Sequence, residues 1–366
     1  MIKYNIEQEE GLSIDRPTLI IYKSRVLRNI KKILKIAESS SLLLRPHFKT
    51  HQSIEIGKLF RHYGIDKITV SSVEMAELFI EHGWKDVTIA FLLNPVNIKR
   101  INTLSVKAKI SVLVDSLDVI QQLIQKNEKP LDVWIKIDTG LGRTGIPYNK
   151  KPEITELATL ISESKSLNFK GILTHAGQSY KARNRDDIRI IFNETKTKMR
   201  GVQSYLLKHS INSCLISIGD TPTCSFQHDF SGIDEIRPGN FVYYDVMQYY
   251  IGSCTKEEIA VAVACPVVGK YNDRQQIVIH GGAVHLSRES LIVNNERVYG
   301  FLADQNNHFI ESAPVISLSQ EHGIIRLDDA LFSEIEIGDA VLVSPIHSCL
   351  TSNLLQNYLI MNSENN

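Results

Sequence analysis

No apolar run in this chain approaches the ~20 residues needed to cross a bilayer. The N-terminal stretch MIKYNIEQEEGL is charged and lacks the apolar segment of a secretory leader. Cysteine is sparse: Cys214, Cys224, Cys254, Cys265 and Cys349 are odd in number, scattered, and form no C-x-x-C. They make no disulfide framework, and a reducing cytoplasm is the expected compartment. Neither sign of charge is in excess, with 41 Lys+Arg against 41 Asp+Glu. That argues against nucleic-acid or membrane-surface binding driven by bulk electrostatics. No internal repeat or low-complexity tract is present, and the tail MNSENN reads as disordered.

What is present is the composition of a soluble globular protein, 43% hydrophobic and 22% charged. At 366 residues the chain exceeds what one core usually serves, so two domains are expected. After the strand-like TLIIY (18–22), apolar β-branched runs recur at 42–48, 67–72, 87–93, 110–116, 131–138, 169–176, 214–220 and 236–245. Helical periodicity fills most of the gaps, as at 73–82, 151–165 and 185–209. Eight βα repeats predict a (β/α)8 TIM-type barrel, with a doubly wound open sheet as the alternative. Beyond about residue 250 the strands carry turn signals and little helix, which predicts a mainly β C-terminal domain.

In a barrel the active site gathers at the C-terminal strand ends. Lys49, Ser72, Asp138, His175 and Asp220 fall there. Lys49 follows the apolar run 42–44 in LLLRPHFKTHQS, between His47 and His51. It reads either as a solvated strand end or as a Schiff-base lysine activated by desolvation and cationic neighbours. GLGRTG (140–145) matches G-x-G-x-x-G, but Pro147, Tyr148 and Asn149 follow and the next helix starts near Pro152. A dinucleotide fingerprint needs a helix at once. The run therefore reads as a glycine-rich turn, which leaves Arg143 unexplained. SIGDTPTCS (217–225) and RPGN (237–240) end the last two predicted strands, and their amides and hydroxyls suit a phosphate. In SPIHSCL (344–350), His347 and Cys349 at i, i+2 would share one face of a strand. Imidazole and thiolate suit Zn²⁺, and two protein ligands leave open positions. A core cysteine beside a surface histidine is the plainer alternative.

Taken in order, RPHFKTH, DTGLGRTGI, THAGQSY, SIGDTPTCS, IRPGNFVYYD and IHSC resemble the D-serine dehydratase / D-threonine aldolase family. Its members are pyridoxal-phosphate (PLP) enzymes of the alanine-racemase-like fold. The resemblance covers nearly the whole chain. It implies an N-terminal strand (1–22) that joins the β domain, a PLP barrel (23–248), a β domain (249–366) with the metal pair, and a homodimer. Lys49 would carry the Schiff base, and Arg143 would bond the phenolic oxygen. Thr221, Thr223, Gly239 and Asn240 would hold the phosphate, and Arg237 would face the pyridine nitrogen. Tyr180 would join the cofactor-binding residues. His347 and Cys349 would bind zinc, with manganese left open. The resemblance assigns no role to His47 or His51, either of which could orient Lys49.

The expected activity is thus a PLP- and metal-dependent lyase for D-β-hydroxy amino acids. D-serine dehydration to pyruvate and ammonia stands ahead of D-threonine cleavage to glycine and an aldehyde. An amino-acid racemase is a rival: it needs a second base, which Tyr180, Tyr249 or Tyr250 could supply, and it gives the metal pair no task. A non-catalytic PLP-binding protein is a further rival, against which the β domain argues. His285 is a further polar candidate with no assigned role.

Overall fold

The structure is a computed structural model that describes residues 14–355 and 357–362. The segment read for a leader and the last four residues of the tail lie outside the described residues. The chain divides into two compact units, Lys31–Gly239 and the combination of Met1–Ile30 with Asn240–Asn366.

The first unit is a parallel eight-stranded barrel. Its strands are Leu43–Leu44, Lys67–Val70, Asp86–Leu92, Lys109–Val114, Leu131–Asp138, Leu167–Thr174, Leu215–Ile218 and Glu235–Ile236. Each pairs in parallel with its neighbour from the second to the eighth, and the eighth returns to the first. The first and second strands close the ring through a parallel bridge between His47 and Thr69. The first strand is shorter than the 42–48 expected because Pro46 has no N–H to donate to a ladder. The bridge still continues its line, since Thr69 N–H donates to Pro46 O at 2.9 Å and Phe48 N–H to Thr69 O at 2.8 Å. The eighth strand is also short. Pro238 and Gly239 stop it, and Asn240–Val242 turns into a 3-10 helix where strand was expected.

Side-chain caps start the helices between strands. Ser53 Oγ accepts Ile56 N–H at 3.2 Å and Ser72 Oγ accepts Met75 N–H at 3.1 Å, opening helices Ile54–His62 and Val73–Glu81. Ser72 thus has a structural task. Helix Arg185–Lys208 buries Ile188, Phe192, Thr195, Met199, Val202 and Leu206, a stripe at helical spacing. Inside the barrel Leu113, Trp134 and Leu173 form one apolar cluster. Burying each of these stabilises the fold by roughly 1.5–3 kcal/mol.

In the second unit six strands form a closed antiparallel sheet: Val261–Tyr271, Gln276–His280, His322–Arg326, Phe309–Leu318, Gly300–Ala303 and Ala340–Pro345. Strand Thr18–Tyr22 extends it, antiparallel to Val261–Tyr271 and parallel to Tyr358–Met361. The start of the tail expected to be disordered is therefore ordered, because Met361 pairs with Tyr22. Ile20 and Tyr22 pack with Ala262, Ala264, Ala303 and Leu342, so the N-terminal strand is part of this core. Among the described residues no helix is long and apolar enough to cross a membrane.

Candidate active site

Lys49 lies in a turn directly after the His47 bridge, between Phe48 and Thr50, which are both fully buried. The Phe48 ring packs against Phe60, Phe79 and Trp84, each at 5.0 Å between centroids. This aromatic anchor fixes the turn and leaves Lys49 exposed at the mouth. Lys49 is exposed rather than desolvated, and the histidines that face it, His47 and His175, are uncharged. His47 Nδ1 accepts Lys49 N–H at 3.3 Å. Burial, Lys49 and Arg237 hold the His47 imidazole well below its usual range, so it stays neutral. His51 does not orient Lys49. It meets Phe48 edge-on at 4.4 Å and stacks on Phe60 at 5.7 Å, its Nδ1 lies 3.1 Å from the Ser53 backbone, and its Nε2 is buried without a partner.

His175 is brought to the same basin from the sixth strand. Its Nδ1 donates to Gly219 O at 2.7 Å, which leaves Nε2 as an acceptor. Burial, then Lys136 and Lys49, keep its imidazole neutral. Tyr180 stands beside it, with ring centroids 6.3 Å apart. Lys136 is a site residue that sequence reasoning missed. It is 7% exposed, and burial together with Arg237 and Arg143 pushes its ammonium well below the usual lysine range. The available signal was a lysine inside the buried strand LDVWIKID, on the same face as Trp134 and Asp138.

The glycine-rich loop is built around Asp138. Its Oδ1 accepts the N–H groups of Gly140, Leu141 and Gly142 at 2.9, 2.9 and 3.2 Å. These amides are engaged and cannot cradle a pyrophosphate, so the dinucleotide reading is excluded. The φ of +100° at Gly145 needs glycine, and a Cβ there would meet Lys136 at 2.9 Å. Arg143 sits exposed in this loop.

Arg237 is buried and held from below. Its Nε donates to Ser217 Oγ at 2.7 Å and one terminal nitrogen donates to Thr174 O at 2.6 Å. Ser217 Oγ donates on to Glu235 at 2.6 Å, and Glu235 accepts Arg45 Nε at 2.7 Å. Arg45 also pairs with Asp86 at 2.6 Å. Burial lowers the Arg237 guanidinium to about 10, so it remains charged at neutral pH. None of these bonds uses its Nη1.

In the loop after the seventh strand, Asp220 caps the short helix Thr221–Cys224. Thr223 donates to it from N–H at 2.8 Å and from Oγ1 at 2.7 Å, and Ser179 donates at 2.8 Å. Burial raises the Asp220 carboxyl to about 6. Thr221 Oγ1 is buried with no partner, as expected of a hydroxyl waiting for an anion. Gly239 lies against His47, where a Cβ would come within 2.9 Å of His47 O.

The second unit holds the remaining candidates. His347 and Cys349 do not share a strand, because the strand ends at Pro345 and His347 is the N-cap of helix Ser348–Leu354. The helix turn brings them together instead, and the imidazole hydrogen-bonds the thiol. Burial pulls His347 down, but that bond, the Cys349 charge, Asp245 and Glu289 outweigh it and leave it at about 9. His347 Nδ1 is buried without a partner. Asn240, expected at the phosphate, points its side-chain amide elsewhere: Nδ2 is 2.6 Å from Asp245 and 3.4 Å from Cys349 Sγ. His285 clusters with His280 and Glu321. Its Nδ1 accepts Gly282 N–H at 3.2 Å, which leaves the ring proton on Nε2, toward Glu321. The candidate base Tyr250 packs on Phe301 and Phe309, and burial lifts its hydroxyl to about 12.

The model for the alanine racemase N-terminal domain matches residues 21–246, and that for a putative serine dehydratase domain matches 260–361. The chain is 29% identical to D-serine dehydratase of Dictyostelium discoideum, over 99% of this chain and 97% of that one. It is 26% identical to D-threo-3-hydroxyaspartate dehydratase of Delftia sp., over 94% and 93%. The solved structure of an ala racemase-like protein from Idiomarina loihiensis superposes with a TM-score of 0.89 at 27% identity, covering 96% of this chain and 95% of that one.

Proposed function

Because the chain belongs to the family of the alanine racemase N-terminal domain, we propose that it is a PLP- and metal-dependent lyase of D-β-hydroxy amino acids, with D-serine dehydration as its main reaction. The observation that carries the lyase reading over a racemase is the His347–Cys349 pair. An imidazole and a thiol meet there, and the buried Nδ1 has no partner. Racemisation gives such a pair no task. A solved form of the Delftia enzyme with a cysteine replaced by alanine is described as metal-free, which supports a metal in that relative.

The barrel residues fit PLP. Lys49, Lys136, Arg143 and Arg237 converge with two neutral histidines, and Thr221 offers an unpartnered buried hydroxyl. Such a set suits a dianionic phosphate on an aromatic aldehyde. The chemistry PLP supplies when bound is electron withdrawal from Cα. The chemistry a metal supplies is Lewis-acid stabilisation of the departing hydroxyl.

In this reading Lys49 would hold the cofactor, and its Nζ would be the base that takes the Cα proton. Arg143 would bond the phenolic oxygen. Arg237 is locked by Ser217 and Thr174 and would face the pyridine nitrogen, where as a charged donor it would keep its own proton and limit electron withdrawal by the ring. That makes leaving-group help necessary, which is the task of His347 and Cys349. Thr221 and Gly239 would hold the phosphate and Tyr180 would border it; Thr223, whose N–H and hydroxyl are both given to Asp220, would support that loop instead, and the Asn240 side chain is reassigned to Cys349. We include a homodimer in the proposal, as the resemblance implies.

The test is incubation of purified protein with D- and L-serine, threonine and 3-hydroxyaspartate, with and without chelator. Keto acid and ammonia from the D-isomers, lost on chelation, are expected. Glycine plus aldehyde would move the assignment to aldolase. Interconversion of enantiomers without loss of amine would move it to racemase.

A further inference from the structure

The buried surroundings of Cys349 contain an arrangement that cofactor binding does not explain. Four of the five cysteines are buried, while Cys349 is partly exposed. Asn240 Nδ2 lies 3.4 Å from its Sγ. The same nitrogen is 2.6 Å from Asp245 Oδ2 and 3.1 Å from Ser348 Oγ. Asp245 Oδ2 also accepts Ser348 N–H at 2.9 Å and Ser348 Oγ–H at 3.2 Å, while Oδ1 accepts Gln248 N–H at 2.9 Å. Asn240, Asp245 and Ser348 are 3%, 1% and 0% exposed, so none of them can swing away.

The chemistry fixes the orientation of the amide. A carboxylate is acceptor-only, so the Asn240 atom 2.6 Å from Asp245 must be the nitrogen. An oxygen there would face another oxygen. One hydrogen of that NH2 goes to Asp245, and the second is aimed at the sulfur and Ser348 side. Ser348 Oγ–H is turned to Asp245, and a thiolate is the stronger acceptor of the two. An amide cannot titrate away its proton, so the donor persists at every working pH. Asp245 does two things at once: it holds Asn240 and it holds the backbone between His347 and Cys349 through Ser348 N–H.

We propose that Asn240 is a positioning residue that hydrogen-bonds the metal-binding sulfur of Cys349, with Asp245 as the group that sets both. This inference rests on the reading of His347 and Cys349 as metal ligands. A donor to a ligating thiolate withdraws charge from the sulfur, orients its remaining lone pairs, and leaves the metal more electrophilic.

The experiment uses Co²⁺ in the full-length protein, because sulfur-to-cobalt charge transfer gives a near-ultraviolet band that is independent of turnover. The wild type should show the band. Asn240→Ala should move it to longer wavelength, since the sulfur loses a hydrogen bond that stabilises its donor orbital. It should also weaken Co²⁺ affinity roughly 10- to 100-fold, measured by competition with a chelating dye. If Asn240→Ala loses its near-ultraviolet dichroism, Asp245→Asn is the second variant, with the same band shift and weakening expected. A wild-type band that neither variant moves, with affinity unchanged, overturns the positioning role and leaves the metal site standing. No band in the wild type overturns the metal site, and the inference falls with it.

Discussion

Asp138 receives the backbone N–H of Gly142 on both carboxylate oxygens, at 3.2 and 3.1 Å. With Gly140 and Leu141 on the same carboxylate, the loop is wound round an anion of its own. A motif that looks like a phosphate cradle is therefore a device for carrying Arg143. Asp138→Ala should release the loop and weaken PLP binding by roughly tenfold or more, the effect of losing about 1.4 kcal/mol, while the pyridoxyl link to Lys49 survives. PLP titration of the apoprotein checks this, and unchanged affinity contradicts it.

The pyridoxyl group should sit on Lys49. After borohydride reduction, peptide mapping is expected to find it there and to find none in Lys49→Ala. Activity of that variant should fall by at least roughly a thousandfold, since it loses both the covalent attachment and the base. A pyridoxyl group on Lys136, the other amine of the basin, would overturn the assignment.

Much of this was legible in the sequence. Eight apolar runs with helices between them predicted the barrel, and they end where Lys49, Asp138, His175 and Asp220 are found. What was not legible depends on contacts between distant segments. His51 looked like a partner of Lys49 because it is two residues away, but the aromatic cage of Phe48, Phe60 and Phe79 claims it. Strand parity with Trp134 and Asp138 marks Lys136 locally, but its burial beside Arg237 and Arg143 depends on other strands and loops. The short first and eighth strands followed from Pro46, Pro238 and Gly239, whose breaking effect the apolar pattern masked.

His51 gives a pH prediction. Burial lowers its imidazole to about 3, well under the ordinary value of 6.5. Its folded pKa is depressed, so its contribution to stability is present above about 6.5 and is lost as pH falls toward 3. Each pH unit in that window costs about 1.4 kcal/mol. In His51→Phe that slope should disappear. Unfolding free energies from denaturant titrations at pH 7 and pH 5 should differ by roughly 2 kcal/mol less than in the wild type. Parallel wild-type and variant profiles contradict this account of the cage.

Glu235 supports the barrel floor between Arg45 and Ser217. Glu235→Leu leaves the buried Arg45 with Asp86 alone and releases Ser217 from below Arg237. The expected cost is about 3–5 kcal/mol of stability, as for other broken buried pairs. The cofactor absorbance should shift as well, because Arg237 is no longer held. A stability loss under about 1 kcal/mol with an unchanged spectrum would show that the chain of contacts supports nothing.

The most direct measurement of the central claim separates proton removal from leaving-group departure. Metal-stripped enzyme, or the His347→Ala, Cys349→Ala double variant, is given D-serine in D₂O. Deuterium at Cα is followed by NMR alongside pyruvate release. The account predicts that PLP stays bound and that exchange at Cα persists, because Lys49 belongs to the barrel. Pyruvate release should fall by orders of magnitude, since Lewis-acid help is worth several kcal/mol and each ~1.4 kcal/mol is about tenfold. Pyruvate appearing at the full rate without metal would contradict it, and would return His347 and Cys349 to being a histidine and a cysteine that happen to touch.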